Sequence, residues 1–361
     1  MLTTSGAGMQ DKSDKALLDV CSRAARLFSS IGAAAGTELV PLGLGGNNRI
    51  YRVEAGSRTY VLKEYFRHPG DTRDRLGSEF ALARFAWTNG LRCIPEAIAC
   101  DTTEGLGLFE FIDGERILPG TLSRTDIGQA RAFIASLNRF RETPEARELP
   151  LGSEACFSIH QHLAVVKRRI DRINGINPAL PIDREALAFV RAELAPAFGQ
   201  ITEKILLQLT EEGMEPDAEL LPEQRVISPS DFGFHNALRR PDGTIAFLDF
   251  EYAGWDDPAK LTGDFFSQVA VPVPVMYKDE VLDSIADIFS ERESTLRRMT
   301  LLLPVYRIKW CCILLNHFLP VASDRRIFAQ GAAGKQKKEQ LTKAKQLLTS
   351  LQQLDAGRKR N

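Results

Sequence analysis

Several protein classes are excluded by what this sequence lacks. Its 361 residues include only six cysteines, with no C-x-x-C pair, and the adjacent Cys311 and Cys312 are poorly placed to bridge each other. The 46 Lys and Arg residues nearly balance the 47 Asp and Glu residues, so the net charge of -1 provides no field that would attract nucleic acid or an anionic membrane. We therefore expect a cytoplasmic protein with reduced thiols and no nucleic-acid partner.

Signals for export and for membrane insertion are missing as well. The first residues, MLTTSGAGMQDKSDK, have no apolar core of a signal peptide, and we expect residues 1–14 to form a flexible polar arm. The most apolar stretch, Met299–Val321, contains Pro304, Arg307 and Lys309, which favours a buried helix over a membrane span. A chain with 44% hydrophobic residues can bury a large core, and its length favours about two domains.

The order of the predicted elements indicates two lobes. Apolar spacing predicts a leading helix over Lys15–Ile31 and a second helix over Leu76–Asn89, and helical patterns dominate from Arg124 onward. Runs rich in Val, Tyr and Leu predict five strands, at Glu38–Leu44, Arg49–Glu54, Thr59–Phe66, Cys93–Cys100 and Leu106–Ile112. We therefore predict an α+β fold, with a β-rich N-lobe over residues 15–112 and a larger, mostly helical C-lobe over residues 113–361.

Two acid signals lie within residues 227–251, ISPSDFGFHNALRRPDGTIAFLDFE. Asp231 is followed by Asn236 five residues later, and Asp249 comes at the end of an apolar run. Magnesium-dependent phosphoryl transfer needs one carboxylate near the attacking hydroxyl, and an Asn and a second carboxylate to hold the metal. These three residues could fill those roles, although turn carboxylates and a capping Asn would produce the same short pattern.

Asp231 also begins the letters DFG, which spell the metal motif of protein kinases. We reject that interpretation because a turn signal, PDG, separates Asn236–Arg239 from Thr244–Phe250, and these two segments can pair as a hairpin. A hairpin returns the chain to its starting point and would bring Asp249 beside Asn236. Asp231 would then be the acid of the catalytic loop, and Asp249 would belong to the metal motif.

A glycine-rich loop, PLGLGGNNR, joins the first two predicted strands. Its glycines would let backbone N–H groups approach a ligand closely. Because the loop lies between antiparallel strands, it argues against a dinucleotide fold, in which the glycines run from a strand into a helix. A plain hairpin turn would look the same.

A lysine lies inside the third predicted strand, in the run YVLKEY. Strand alternation places Lys63 and Tyr65 on one face, with Leu62 and Glu64 on the other. Glu79, on the helix that follows, is a candidate partner that would hold the ammonium toward nucleotide phosphates. Two solvated surface charges remain the alternative.

Taken in this order, the elements resemble the aminoglycoside phosphotransferase and choline kinase superfamily, which has a two-lobed, protein-kinase-like fold. The resemblance extends from about Glu38 to Phe266. It implies an N-lobe that binds the nucleotide, where Gly45 and Gly46 cover the ATP phosphates, Lys63 contacts them and Glu79 orients Lys63.

The resemblance also implies roles in the hinge and in the C-lobe. The run LFEFIDGE resembles the hinge of the family, where backbone groups of Glu110 and Ile112 would bond the adenine edge. Asp231 resembles the catalytic base, with Asn236 and Asp249 as the Mg²⁺ ligands. The run AGWDDPAK is similar to the family segment that follows the metal motif.

The sequence departs from the family near the catalytic Asp. Where relatives have His-Gly before this Asp, the chain has Pro229 and Ser230. We expect the stiffness of proline to hold the loop that a histidine hydrogen bond holds in relatives. Asp264 also lies farther from the Asp257-Pro258 pair than the common pattern, which leaves its role open.

These features predict an ATP- or GTP-dependent kinase that phosphorylates a hydroxyl of an aminosugar, a sugar or an amino-alcohol. An acidic pocket could serve a cationic acceptor, although structural caps and turns would use the same acids, and a neutral sugar stays equally open. The acids concerned are Glu251, Asp256, Asp257 and Asp264.

Two other functions stay open. Pro229 would also suit a catalytically weak, nucleotide-binding regulatory protein. A protein kinase is the other alternative, but no activation segment ending in A-P-E is recognisable after Asp249. A basic helix predicted at Lys335–Leu354 could be a solvated face or could attract an anionic substrate or partner.

Overall fold

A β-rich N-terminal lobe is followed by a larger helical lobe in this protein. A computed structural model describes residues 17–33, 37–42, 48–68, 70–319 and 336–358, with side chains to residue 351. The described strands are β1 Leu39–Pro41, β2 Arg49–Ala55, β3 Arg58–Glu64, β4 Ala97–Asp101, β5 Leu106–Glu110, β6 Glu115–Arg116, β7 Val226–Ser228, β8 Ala237–Arg239, β9 Ile245–Phe247 and β10 Gly254–Asp256.

Helices make up most of the second lobe. Residues 17–23 are helical ahead of α1, and a π-helical turn at Val190–Leu194 joins α6 to α7. The described helices are α1 Ala25–Ser30, α2 Arg75–Thr88, α3 Arg124–Asn138, α4 Pro144–Arg147, α5 Ile159–Ile173, α6 Pro181–Phe189, α7 Ala195–Glu211, α8 Pro258–Ser267, α9 Lys278–Ala286, α10 Arg292–Leu315 and α11 Lys337–Arg358. The predicted α+β, two-lobed fold is thus confirmed.

The N-terminal sheet has the strand order β1-β2-β3-β5-β4, and every neighbouring pair is antiparallel. Gly56, with φ +61°, makes the tight turn between β2 and β3, because glycine adopts this left-handed conformation without a side-chain clash. One face buries Val53, Leu62 and Leu108 against α1 and the helical residues before it. The opposite face carries Phe109 and meets α2.

The helix α2 begins where Asp74 caps it, since the Asp74 side chain accepts a hydrogen bond from the backbone N–H of Gly77 at 2.9 Å. Leu76, Leu82 and Phe85 are buried on its inner side, as the predicted apolar stripe requires. The same side carries Glu79 into the interior. The helix therefore covers the sheet and delivers one charged group beneath it.

The strand predicted at Cys93–Cys100 begins later than expected, at Ala97. Pro95 has no backbone N–H and cannot donate to a neighbouring strand, which explains the delay. The carbonyl of Cys93 instead accepts a hydrogen bond from the N–H of Phe247 at 2.8 Å. This bond ties the end of the first lobe to a hairpin of the second.

By length and composition, one helix of the described chain, Arg292–Phe318, could span a membrane. It packs against α5, α8 and α11, and its residues Leu302, Val305 and Ile308 have no exposed surface. These contacts are those of a core helix, as predicted for this apolar stretch. Its interior proline, Pro304, is accommodated within the helix.

The predicted hairpin is present in the second lobe. β8 pairs with β9 through Ala237 with Phe247 and Arg239 with Ile245, and Gly243 makes the turn with φ +83°. Buried aromatic rings support the loop that precedes this hairpin. They are Phe133, Phe232, Phe234, Phe247, Phe250 and Phe265.

Candidate active site

Lys63 of β3 reaches two carboxylates from different lobes. Its Nζ donates to Glu79 Oε1 at 2.6 Å and to Asp249 Oδ1 at 3.1 Å. Tyr65, on the same strand face, donates its hydroxyl to Glu79 Oε2 at 2.6 Å. The alternation predicted for this strand is therefore correct, and the Glu79 carboxylate is held at both oxygens.

Lys63 is charged in this setting. Burial alone would lower its pKa, but the nearby Asp249 and Glu79 carboxylates raise the pKa above its usual value. The Lys63 side chain is only 10% exposed, whereas that of Asp249 is 35% exposed. One side of the group is thus enclosed and the other is open to solvent.

The Asp231 and Asn236 side chains meet in the loop before β8. Asn236 Nδ2 donates to the Asp231 carbonyl at 3.0 Å and approaches Asp231 Oδ2 at 3.4 Å. Burial opposes ionisation of Asp231, but the charge of His235 and its contact at 3.3 Å outweigh burial and lower the pKa of Asp231. Asp231 is therefore ionised, and it is partly exposed.

Asp249 comes back beside Asn236, as the hairpin predicts. The backbone N–H of Leu248 donates to the Asn236 carbonyl at 2.8 Å. Asp249 and Ser230 both have left-handed backbone conformations, with φ 67° and 68°. Such conformations cost non-glycine residues about 1–3 kcal/mol each and persist only where the surroundings enforce them.

Side-chain hydrogen bonds support the loop before Asp231, for which the sequence predicts support by proline stiffness. The backbone N–H of Ser230 donates to Ser228 Oγ at 3.0 Å, and Lys260 Nζ donates to Ser230 Oγ at 2.6 Å. Sequence reasoning missed Lys260. The only signal was a lysine in the otherwise apolar start of α8, PAKL, where a buried cation would need partners.

His235 also contributes more than loop packing. Its Nε2 lies 3.3 Å from Asp231 Oδ1, and its ring meets Trp310 edge-on at 6.4 Å between centroids. The other ring nitrogen, Nδ1, is buried without a hydrogen-bond partner among the described residues. Within the described part of the chain, the imidazole therefore directs its one hydrogen-bonding contact to the candidate base.

Glu251 connects the metal motif to the end of the glycine loop. Its carboxylate accepts a hydrogen bond from Asn48 Nδ2 at 2.7 Å and lies 3.7 Å from Arg75 Nε. Burial and, to a smaller extent, the charge of Asp249 raise the pKa of Glu251 to about 7. Gly45 and Gly46, predicted to cover the phosphates, lie outside the described residues.

The predicted hinge follows β5. The Glu110 N–H donates to the Glu96 carbonyl at 2.9 Å, and the Glu96 N–H donates to Glu110 Oε2 at 3.1 Å. The Ile112 N–H makes no hydrogen bond to another described residue, and the Ile112 side chain is buried. With respect to the described residues, the Ile112 N–H is therefore an available backbone donor in the hinge segment.

The acids considered for a cationic pocket are turned inward. Asp257 contacts His162 at 2.9 Å and Arg298 at 2.7 Å, and it caps α8 through Ala259. Asp256 pairs with Lys260 at 2.6 Å. Asp264 pairs with Lys309, and Glu251 has the contacts described above. These buried pairings favour structural roles over an acidic acceptor pocket.

The candidate ligands suit Mg²⁺ by their chemistry. Asn236 uses its amide nitrogen within the loop, which leaves the amide oxygen for a cation, and Asp249 offers a partly exposed carboxylate. Mg²⁺ typically takes one or two protein oxygens together with phosphates and water. Among the described residues, no three His, Cys, Asp or Glu side chains cluster as a metal site.

Comparison with known proteins agrees with this arrangement. A sequence model of the phosphotransferase enzyme family (APH) matches residues 38–260. No curated protein matches the chain by sequence. Many solved structures have similar folds, and three of them illustrate the range. A microcompartment-associated aminopropanol kinase has 14% identity and a TM-score of 0.55, covering 94% of this chain and 98% of its own.

The other two structures are named as phosphotransferases of spectinomycin and of macrolides. The spectinomycin phosphotransferase APH(9)-Ia, in complex with ADP and spectinomycin, has 13% identity and a TM-score of 0.54. The match covers 88% of this chain and 93% of that one. A macrolide 2'-phosphotransferase from Brachybacterium faecium has 16% identity and a TM-score of 0.52. The match covers 88% of this chain and 99% of that one. The family match spans more than half of the chain, and the structural likeness supports the fold. The chain therefore belongs to the phosphotransferase enzyme family.

Proposed function

We propose that the protein is a small-molecule kinase that transfers the γ-phosphoryl group of ATP, or of GTP, to a hydroxyl group. The observation that carries the proposal is the contact between Lys63 and Asp249, which are 186 residues apart and come within 3.1 Å. It places a cation from the N-terminal sheet beside a carboxylate from the C-terminal hairpin. Phosphoryl transfer needs such a pair where the nucleotide phosphates and the metal meet.

The transfer itself depends mainly on positioning and on charge. Asp231 would accept or orient the proton of the acceptor hydroxyl, because it is ionised and partly exposed. The Lys63 ammonium, held by Glu79, would offset charge developing on the phosphates. Asn236 and Asp249 would hold Mg²⁺, which would offset negative charge on the nucleotide phosphates.

Nucleotide binding would use the N-lobe. The Glu110 carbonyl and the Ile112 N–H would bond the adenine edge, a role that rests on the family resemblance and is supported by an Ile112 N–H that bonds no other described residue. Gly45 and Gly46 would cover the phosphates, also by resemblance. We place the lobe boundary between residues 112 and 113, after β5 and its hinge.

The acceptor is an aminosugar, a sugar or an amino-alcohol. Structural relatives carry names as different as aminopropanol kinase and spectinomycin phosphotransferase, so the fold does not select among these acceptors. Acceptor choice would rest with the helical lobe, especially residues 156–173 and 256–275. A cytoplasmic location is supported by six cysteines that are all free.

The experiment is a screen of hydroxylated metabolites, in which ADP release is measured with ATP and Mg²⁺. We expect acceptor-dependent ADP release that requires Mg²⁺ and that Asp231→Asn abolishes. Peptide substrates in the same screen test the protein-kinase alternative. Nucleotide binding without turnover on any acceptor would favour the regulatory alternative and contradict the proposal.

A further inference from the structure

A chain of alternating charges lies beneath the candidate catalytic loop. Lys260 Nζ donates to Asp256 Oδ2 at 2.6 Å and lies 3.6 Å from Asp264 Oδ2. Asp264 in turn accepts hydrogen bonds from Lys309 Nζ at 3.0 and 3.1 Å. No side chain of these four is more than 7% exposed. These four charged side chains are therefore enclosed within the protein and do not meet solvent or substrate directly.

Two members of this set of charges reach the catalytic loop. Lys260 donates to the hydroxyl of Ser230, the residue directly before Asp231. Asp264 Oδ1 accepts a hydrogen bond from Trp310 Nε1 at 2.9 Å, and the Trp310 ring meets the His235 ring edge-on. His235 contacts the Asp231 carboxylate at 3.3 Å. Asp231 is thus supported through its backbone neighbour and through its side chain.

Ser230 needs this support because of its backbone conformation. Its φ of 68° lies in the left-handed region, which a non-glycine residue occupies only under constraint. Its N–H is bonded to Ser228 Oγ at 3.0 Å, and its Oγ accepts from Lys260 at 2.6 Å. Ser230 is also buried, and its carbonyl accepts a hydrogen bond from the Phe232 N–H at 2.6 Å, so these polar contacts are internal.

Lys260 provides a strong anchor for this hydroxyl. Burial alone would lower its pKa, but Asp256 and Asp264 raise the pKa above its usual value, so the side chain is an ammonium. A hydrogen bond from a charged donor is shorter and stronger than one between neutral groups. The 2.6 Å bond to Ser230 is of this kind.

We propose that Lys260 is a positioning residue for the base Asp231 and acts through the Ser230 hydroxyl. Its ammonium holds Ser230 in the left-handed conformation, and that conformation sets the direction in which Asp231 leaves the loop. The inference rests on the proposed function for the role of Asp231. Lys260 is buried. Loss of its contact with the Ser230 hydroxyl therefore lowers the rate of transfer and leaves nucleotide affinity unchanged.

The primary test compares Ser230→Ala with Ser267→Ala. Both substitutions remove one buried serine hydroxyl, but Ser267 Oγ has no hydrogen-bond partner among the described residues. For Ser230→Ala we expect kcat to fall by about tenfold or more, with the Kd of MgATP unchanged within about twofold. Ser267→Ala should match the wild type. Equal kcat for the two variants, or a matching loss of MgATP affinity in Ser230→Ala, would overturn the proposal.

Amide hydrogen exchange separates this inference from the proposed function. Exchange at residues 230–236 should be faster in Ser230→Ala than in Ser267→Ala, because the loop loses an anchor. If the wild type turns over no acceptor, the proposed function fails. Faster exchange in the loop would still support the anchoring role in that case, and unchanged exchange would overturn it.

A second variant removes the charge without leaving a buried carboxylate unpaired. Lys260→Met combined with Asp256→Asn keeps the net charge of the buried chain, and Asp264 retains Lys309. We expect this double variant to remain folded and to lose kcat by a factor similar to Ser230→Ala. Wild-type kcat in the folded double variant would contradict the proposal.

Discussion

Two buried lysines in this protein are each flanked by two carboxylates, yet their surroundings differ. The open triad is Lys63, Glu79 and Asp249, and the closed triad is Lys260, Asp256 and Asp264. In the open triad the Asp249 side chain is 35% exposed, whereas no side chain of the closed triad exceeds 6% exposure.

This comparison shows that exposure, and not composition, separates a binding group from a positioning group. Removing charges from water costs free energy, and the closed triad must offset that cost through internal contacts alone. The open triad keeps one side available for a charged ligand. The open triad is therefore expected to respond to nucleotide and metal, and the closed triad to govern stability and loop geometry.

The largest effects are expected at the two acids of the cleft. Asp231→Ala should reduce transfer by about a hundredfold to ten thousandfold while leaving Mg²⁺-dependent ATP binding intact. Asp249→Ala should lose both, because it removes a metal ligand. Calorimetric titration of ATP with and without Mg²⁺ measures the difference. A large loss of Mg²⁺-dependent binding in Asp231→Ala alone would mean that the literal DFG interpretation is right.

The closed triad should dominate folding stability. Lys260→Met leaves the fully buried Asp256 carboxylate without its partner, and we expect the free energy of unfolding to fall by about 3–5 kcal/mol. Denaturant unfolding measures the change. The double variant with Asp256→Asn should recover most of the loss. A Lys260→Met protein as stable as the wild type would show that the closed triad contributes nothing to stability.

The open triad should dominate catalysis. Lys63→Met is expected to lower kcat/KM by about a hundredfold or more, since it removes a charge that stabilises the transferring phosphoryl group. Adding Glu79→Gln removes the unpaired buried carboxylate and should restore stability without restoring activity. Activity within error of the wild type would instead identify Lys63 as a structural lysine.

The smallest effect is expected at Tyr65, which shares the Glu79 carboxylate with Lys63. Tyr65→Phe removes one hydrogen bond to Glu79, at 2.6 Å, and leaves the Lys63 contact in place. We expect about 1.5 kcal/mol less stability and a decrease in kcat of only a few fold. Thermal unfolding and steady-state kinetics test this. A decrease as large as that of Lys63→Met would mean that the hydroxyl has a direct role.

Local sequence patterns were sufficient for part of the candidate site. Lys63 and Glu79 are only 16 residues apart, and strand alternation followed by a helix predicts their meeting. The hairpin signal similarly brings Asp249 back to Asn236. The start of β4 was wrong by a few residues, because the effect of Pro95 on pairing was not recognised.

The burial of charged side chains by distant segments could not be predicted from local sequence patterns. An Asp, a Glu or a Lys has the same letter whether it faces solvent or the interior, so the sequence alone left an acidic acceptor pocket open. The contacts of Asp257 with His162 and Arg298 join segments 95 and 41 residues apart, which no local period predicts. The contact between Lys260 and Ser230 is of the same kind.

The sequence by itself determined the two-lobed α+β fold, the pairing of the hairpin and Glu79 as the candidate partner of Lys63. These follow from periodicity and turn chemistry, which act over a few residues. Only the tertiary structure decided which charges face the cleft and which support the loop beneath it. The physical reason is that the cost of a buried charge depends on every partner that replaces water, and those partners come from distant parts of the chain.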